Sequence, residues 1–203
     1  MNTSALLYIV GSYLIGAIPF GLLLSRGSGI DIRSAGSKNI GATNVARLLG
    51  KKTGALTLGC DILKGFLPMW IITLLVQGQS GYEVILGSCG AALVSGHMFS
   101  VYLRFKGGKG VATALGIFLY LAPVAVLGCI TVFACCVALS GFVSLGSLLG
   151  SLSMLLWLAL LKAPGWKLWL AAFIVLMIWL KHWQNIGRLF SGTEKSWRKR
   201  DEP

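Results

Sequence analysis

Residues 111–140 read VATALGIFLYLAPVAVLGCITVFACCVALS, a stretch with no charged side chain and with Pro123 near its middle. A membrane-crossing helix takes about 20 apolar residues, with a range of roughly 17–25. The stretch is too long for one crossing and too short for two ordinary ones. How it is divided decides the topology of the whole chain, and the flanking charges supply the answer.

On either side lie apolar runs at 3–24, 54–76, 82–103, 142–161 and 166–181. The last two are joined by Lys162-Ala163-Pro164-Gly165, a composition suited to a tight turn. Fifteen of the 18 basic residues fall in three groups. Arg26, Arg33, Lys38, Arg47, Lys51 and Lys52 form the first, and Arg104, Lys106 and Lys109 the second. Lys181, Arg188, Lys195, Arg198, Lys199 and Arg200 form the third. Basic residues flanking short loops collect on the cytoplasmic side. The first two groups are separated by two spans and agree. The third agrees only if an even number of crossings follows residue 110, so 111–140 must cross twice or not at all. A break at Ala122-Pro123 into helices 111–122 and 123–140 gives seven spans, with the N-terminus outside and the C-terminus inside. Short helices persist where the bilayer thins or protein shields their ends. The expected fold is therefore all-α, a single polytopic domain over 1–203, with cytoplasmic segments 25–53, 104–110 and 182–203.

Composition supports this assignment. The chain has 203 residues, 56% hydrophobic and 12% charged, with a mean hydropathy of +0.80. Soluble domains carry about 25% charged residues. Residues 1–24 hold no charge, so the first span lacks the basic start of a cleavable signal. The net charge of +12 is accounted for by topology, and no nucleic-acid partner is expected. Cys60, Cys89, Cys129, Cys135 and Cys136 lie in apolar runs without a CxxC spacing and are expected as buried small hydrophobes, with no metal site. Gly141, Gly146 and Gly150 alternate with Ser140, Ser144, Ser147 and Ser151, a pattern assigned to close helix packing.

The basic segments contain more than orientation requires. In the first, Ser37 precedes Asn39, Thr43, Asn44 and Arg47. On a helix starting near Asn39, Thr43 and Arg47 share a face. Ser37, first-turn N–H groups and Arg47 suit one anion, although a capped interfacial helix with a solvated arginine reads equally well. In the second, Gly96-His97-Met98-Phe99 leads to Arg104-Phe105-Lys106-Gly107-Gly108-Lys109-Gly110. Glycines let successive N–H groups curl around a phosphate while lysines add point charge. A plain turn needs fewer glycines. In the third, His182, Asn185 and Arg188 recur every three residues and Glu194 follows. Glu194 balances local basic charge in this reading. Asp61 and Lys64 interrupt the second span, either as a functional pair or as mutual partners.

Such segments offer many phosphate ligands and little acid–base machinery. They suit a substrate that brings its own reactivity, such as an activated phosphate at the lipid interface. A phosphate transporter is the competing class, but it calls for a path with ionisable groups near the bilayer midplane, and only Asp61 and Lys64 stand inside an apparent span.

These pieces resemble the bacterial acyl-phosphate:glycerol-3-phosphate acyltransferases. The likeness runs through Gly16-Ala17-Ile18-Pro19-Phe20-Gly21, the run Ser37 to Arg47, Asp61 to Gly65, Gly96 to Phe99, Phe105 to Gly110, His182 to Arg188 and Gly192 to Lys195. Ser100 stands where the family favours proline, and Lys38 where it favours glycine. The resemblance implies a seven-span enzyme of the bacterial cytoplasmic (inner) membrane with its site facing the cytoplasm. It implies acyl transfer from acyl phosphate to the 1-hydroxyl of sn-glycerol 3-phosphate, yielding lysophosphatidic acid and inorganic phosphate without a cofactor. Ser37, Thr43, His182 and Asn185 are the expected catalytic residues, with a covalent role for Ser37 as an alternative. Asn39, Asn44, Arg47, His97, Lys106, Gly107, Gly108, Lys109, Gly110, Arg188 and Glu194 are the expected substrate-binding residues.

Overall fold

The computed structural model describes residues 3–198; Lys199 and Arg200 of the basic tail lie outside them. The described residues form ten α-helices and no strand. They divide into two compact units, one up to Leu121 and one from Ala122.

The first unit comprises α1 (Thr3–Ala17), α2 (Phe20–Ser25), α3 (Ala42–Leu49), α4 (Lys51–Val76), α5 (Tyr82–Met98), a 3₁₀ turn (Val101–Leu103) and α6 (Val111–Leu121). Two helix pairs meet with backbone on backbone. In the first, a Cβ on Gly16 of α1 would strike the Leu93 carbonyl, and one on Gly96 of α5 would strike that of Tyr13. In the second, Gly65 of α4 faces the Thr113 carbonyl and Gly116 of α6 faces that of Ile62. This is how small residues bring membrane helices together. At Pro19 the helical path breaks between α1 and α2. Side chains from elsewhere satisfy the interrupted carbonyls: Ser100 Oγ donates to Ala17 O at 2.6 Å, and Lys64 Nζ to Ile18 O at 2.7 Å. Such compensation lets proline sit inside a spanning segment.

The second unit comprises α7 (Pro123–Ser140), α8 (Val143–Leu160), α9 (Gly165–Lys181) and α10 (Trp183–Phe190). Pro123 starts α7, where its missing N–H costs nothing. Gly146 and Gly150 seat α8 against Phe133 of α7, and Gly128 of α7 lies under the Trp157 ring. Gly141 turns the chain between α7 and α8 in the left-handed region, φ 78°. Its carbonyl accepts the Trp197 N–H at 2.8 Å, which ties the tail of the chain down.

The helices are inside-out by the standard of a soluble protein. Ser12, Thr57, Asp61, Lys64, His97, Thr113, Ser144 and Ser147 are buried, whereas Leu7, Leu139, Trp169 and Leu160 are more than half exposed. An apolar outer surface on this scale matches a hydrocarbon solvent. Five stretches are long and apolar enough to cross a membrane: Thr3–Ser25, Lys51–Val76, Tyr82–Leu103, Pro123–Ser140 and Val143–Leu160. Gly165–Lys181 with Trp183–Phe190, bent by 59°, makes a sixth, and Val111–Leu121 is a shorter apolar helix. The cysteines depart from expectation. All five are free thiols, but only Cys89 and Cys129 are buried; Cys135 lies exposed on the apolar face of α7.

Candidate functional site

The glycine-rich loop lies between the 3₁₀ turn and α6. Ser100 opens it at φ −62°, an angle proline also adopts, and its hydroxyl adds the bond to Ala17. Arg104 and Phe105 then occupy the left-handed region consecutively, φ 50° and 64°. Such strain in non-glycine residues clusters where a segment must be held for function. Lys106 projects into the open, and the backbone turns down onto His97. The Gly108 N–H donates to the His97 carbonyl at 3.0 Å. A Cβ on Gly107 would meet that same carbonyl, and one on Gly108 would meet the imidazole Nε2. The glycines are required here because another residue's backbone and ring already fill the space. Gly110 leads into α6, whose first-turn N–H groups follow directly.

The segment 31–47 is organised by one side chain. Asn44 is buried, and its amide nitrogen donates to the carbonyls of Ile32, Ala35 and Asn39 at 3.0, 3.2 and 2.9 Å. Its Oδ1 accepts the Ser37 N–H at 2.8 Å. With donors and acceptor so used, Asn44 shapes the loop that presents Ser37 and has nothing left to offer a ligand, contrary to its expected place among the binding residues. Ser37 is exposed. Lys38 sits at φ 58°, which explains why glycine suits this position. The helix begins at Ala42 rather than near Asn39, so Asn39 belongs to the loop while Thr43 and Arg47, both half-buried, share α3. Ala46 of α3 rests on Gly54 of α4. Nearby, Arg33 grips Asp31 through Nε and a terminal nitrogen at 2.9 and 3.0 Å and holds its carboxyl below the usual range.

Beneath the glycine-rich loop lies a buried polar group that sequence reasoning identified only in part. Asp61 Oδ1 is 2.8 Å from Lys64 Nζ and 3.8 Å from His97 Nδ1. Thr113 Oγ1 is 3.2 Å from the same Nδ1. Asp61 and Lys64 do pair, as one of the two readings had it, but the carboxylate also faces His97.

In the second unit, Glu194 is the hub. Its side chain is 7% exposed. One carboxylate oxygen accepts from Ser144 Oγ and from Asn185 Nδ2, each at 2.6 Å. The other accepts Arg188 Nε at 2.7 Å. Burial pushes the Glu194 carboxyl up, but the three donors and the arginine charge outweigh it, so the group stays below its ordinary value. Ser144 therefore belongs to this cluster and not to the packing stripe. Asn185 and Arg188 share α10 as their spacing predicts. His182 stands at the bend between α9 and α10, buried, with Nδ1 donating to the Ile178 carbonyl at 2.8 Å. A carbonyl can only accept, which puts the proton on Nδ1 and leaves Nε2 as the basic nitrogen of the neutral ring. Among the described residues no cluster of His, Cys, Asp and Glu could hold a metal.

Apolar helices with a polar interior and glycine, lysine and hydroxyl groups gathered in loops define an integral membrane protein equipped to handle anionic substrates. Residues 6–192 match the profile of the family described as glycerol-3-phosphate acyltransferase. A glycerol-3-phosphate acyltransferase of Desulfotalea psychrophila is 57% identical over 189 residues, covering 93% of this chain and 96% of that protein. One from Trichlorobacter lovleyi is 46% identical, covering 97% and 99%. The crystal structure of PlsY (YgiH), an integral membrane glycerol 3-phosphate acyltransferase, superposes in its glycerol 3-phosphate form with a TM-score of 0.89 at 40% identity, over 95% of both chains. Its lysophosphatidic acid form gives 0.87 at 39% identity and the same coverage. The chain belongs to the glycerol-3-phosphate acyltransferase family.

Proposed function

We propose that this protein transfers a fatty acyl group from acyl phosphate to the 1-hydroxyl of sn-glycerol 3-phosphate, yielding lysophosphatidic acid and inorganic phosphate. The observation that carries the reading is the glycine-rich loop seated on His97, with an exposed Lys106 and a half-buried Lys109 set among its glycines and α6 beginning directly after it. The helix start and the curled N–H groups favour a phosphate there.

The chemistry asks for positioning more than for strong acids. The acceptor hydroxyl attacks the acyl carbon, the carbonyl carries the charge of a tetrahedral intermediate, and the C–O bond to phosphate breaks. The hydroxyl proton leaves with the phosphate or passes to a base. Two phosphates must be held despite their repulsion, and Arg47, Lys106, Lys109 and Arg188 supply the compensating charge. From the first unit, Gly107 and Gly110 contribute backbone N–H groups and Asn39 an amide, while Ser37 and Thr43 contribute hydroxyl donors; Gly108, whose N–H is taken by the His97 carbonyl, seats the loop. From the second, Asn185 contributes an amide donor and His182 Nε2 a site for the proton. Asn44, His97 and Glu194 act by holding these groups in place. In this proposal the chain crosses the bacterial cytoplasmic membrane seven times, with its basic segments in the cytoplasm.

Purified protein given acyl phosphate and glycerol 3-phosphate is expected to release inorganic phosphate and form lysophosphatidic acid. Folded protein showing no glycerol-3-phosphate-dependent release overturns the reading. Single cysteines introduced at Lys162 and Lys167, in a background lacking the native thiols, should react with an impermeant reagent from outside; labelling from the cytoplasm only would reject the topology.

A further inference from the structure

We infer that Asp61 is a positioning residue for the acceptor phosphate, acting with Lys64 through His97 on the glycine-rich loop.

The pair is poorly explained by stability alone. Both side chains are 3% exposed on an apolar helix. Buried ion pairs recover little more than their desolvation cost, and apolar replacements of similar volume often serve stability as well. Ionisable groups kept within a span instead mark function. Nor is the pair closed on itself. Lys64 extends to the Ile18 carbonyl at 2.7 Å and lies 5.6 Å from the centre of the Phe20 ring, which anchors it at the break between α1 and α2. That anchoring fixes Asp61 one helical turn away. Asp61 in turn presents Oδ1 to His97 Nδ1 at 3.8 Å, while Thr113 Oγ1 stands 3.2 Å from the same nitrogen.

A carboxylate beside Nδ1 favours the proton on that nitrogen. At 3.8 Å its charge biases the ring electrostatically, while the Thr113 hydroxyl, at hydrogen-bond distance from the same nitrogen, holds the ring in place. The opposite edge of the ring, at Nε2, is the surface on which Gly108 rests. The His97 carbonyl takes the Gly108 N–H and closes on Gly107 as well. The loop backbone thus contacts His97 at two points, and His97 is biased from below by the Asp61 charge and held by Thr113. Turning the ring moves the N–H groups that the proposed reaction uses. A displacement near 1 Å is enough to cost a large factor in binding or rate. The inference rests on the reading of this loop as the acceptor-phosphate site.

The test uses full-length protein and steady-state kinetics with each substrate varied in turn. Asp61→Asn keeps the shape of the side chain and removes its charge. It is expected to raise KM for glycerol 3-phosphate about tenfold while leaving KM for acyl phosphate within about twofold. Adding Asp61→Asn to His97→Gln should change KM for glycerol 3-phosphate by less than about twofold, because the route through His97 is already cut. If Asp61→Asn does not fold, Asp61→Asn/Lys64→Met removes both charges and carries the same expectation. An unchanged KM in a folded variant, equal losses for both substrates, or full additivity with His97→Gln overturns the inference. Failure of both charge-removing variants to fold also overturns it by assigning the pair to the fold. Lys106→Ala separates this from the underlying reading. If it raises KM while Asp61→Asn does not, the loop stands as the phosphate site and only the role of Asp61 falls.

Discussion

The glycine-rich loop of the first unit and the Glu194 cluster of the second are held by opposite means. The loop is held by backbone: its glycines lie on a histidine ring and carbonyl that leave no room for a Cβ. The cluster is held by charge: one nearly buried carboxylate gathers a hydroxyl, an amide and a guanidinium that begin 50, nine and six residues away in sequence. A scaffold of the first kind fails gradually and locally. One of the second kind fails all at once when its anion is lost.

The largest expected effect follows from that contrast. Glu194→Ala strands three donors, two of them at 2.6 Å. Leaving such groups unpaired should destabilise the protein by about 2–3 kcal/mol. The figure is below that for a fully buried pair, because Arg188 is 37% exposed. A lower melting temperature in detergent and at least tenfold lower acyl transfer are expected. A variant as stable as the parent would show that the cluster is not held by its carboxylate.

The loop should answer differently. Gly108→Ala drives a methyl into the His97 ring. KM for glycerol 3-phosphate should rise about tenfold, the cost of a misplaced phosphate cradle, with a fall in melting temperature from the overpacked contact. Gly187→Ala, in α10 where a Cβ meets nothing, is the contrasting control: it should leave KM alone and, as alanine is the better helix former, leave the melting temperature equal or slightly higher. If the two substitutions behaved alike, backbone contact with His97 would not be what fixes the loop.

Acid provides a third separation. Glu194 is held below the ordinary glutamate value, about 4.5, in the folded protein. A depressed carboxyl contributes stability that is fully present above the unfolded value, about 4.5, and is lost as pH falls through the lower folded value. The gap in melting temperature between the parent and Glu194→Gln should therefore be constant from neutral pH down to about 5 and shrink below it. A gap that widened in acid would reverse the sign and refute the assignment. Asp31 is also depressed by Arg33, but that pair lies wholly in solvent and should add nothing measurable.

How much of this was legible beforehand depends on whether the information was local. Pro123 announced the helix break because proline cannot continue a helix through its missing N–H. The interleaved glycines and lysines of 106–110 announced a curled backbone, and the four-residue spacing of Thr43 and Arg47 put both on one helix. The remainder is made between helices. Nothing in the neighbourhood of Asp61 points to His97 in α5 or Thr113 in α6. Ser144 looked like one more small residue in a packing stripe, because its partner lies 50 positions on. The family resemblance puts Asn44 among the ligands; only the folded loop shows four backbone groups already using it.

Lys38 offers the smallest and most local test, since it concerns one backbone angle in a loop whose other determinants stay in place. Its φ of 58° costs a side-chain-bearing residue roughly 1–2 kcal/mol that glycine avoids. Glycine gives back roughly 0.5–1 kcal/mol through the greater freedom of the unfolded chain. The balance favours Lys38→Gly by about 0.5 kcal/mol. The side chain is exposed and Asn44 fixes the loop from within, so acyl transfer should stay within twofold. A clear rise in KM for either substrate would mean that the ammonium group itself works at the site. The loop around Ser37 would then depend on charge as the Glu194 cluster does, and the contrast between the two units would narrow to the glycine-rich loop alone.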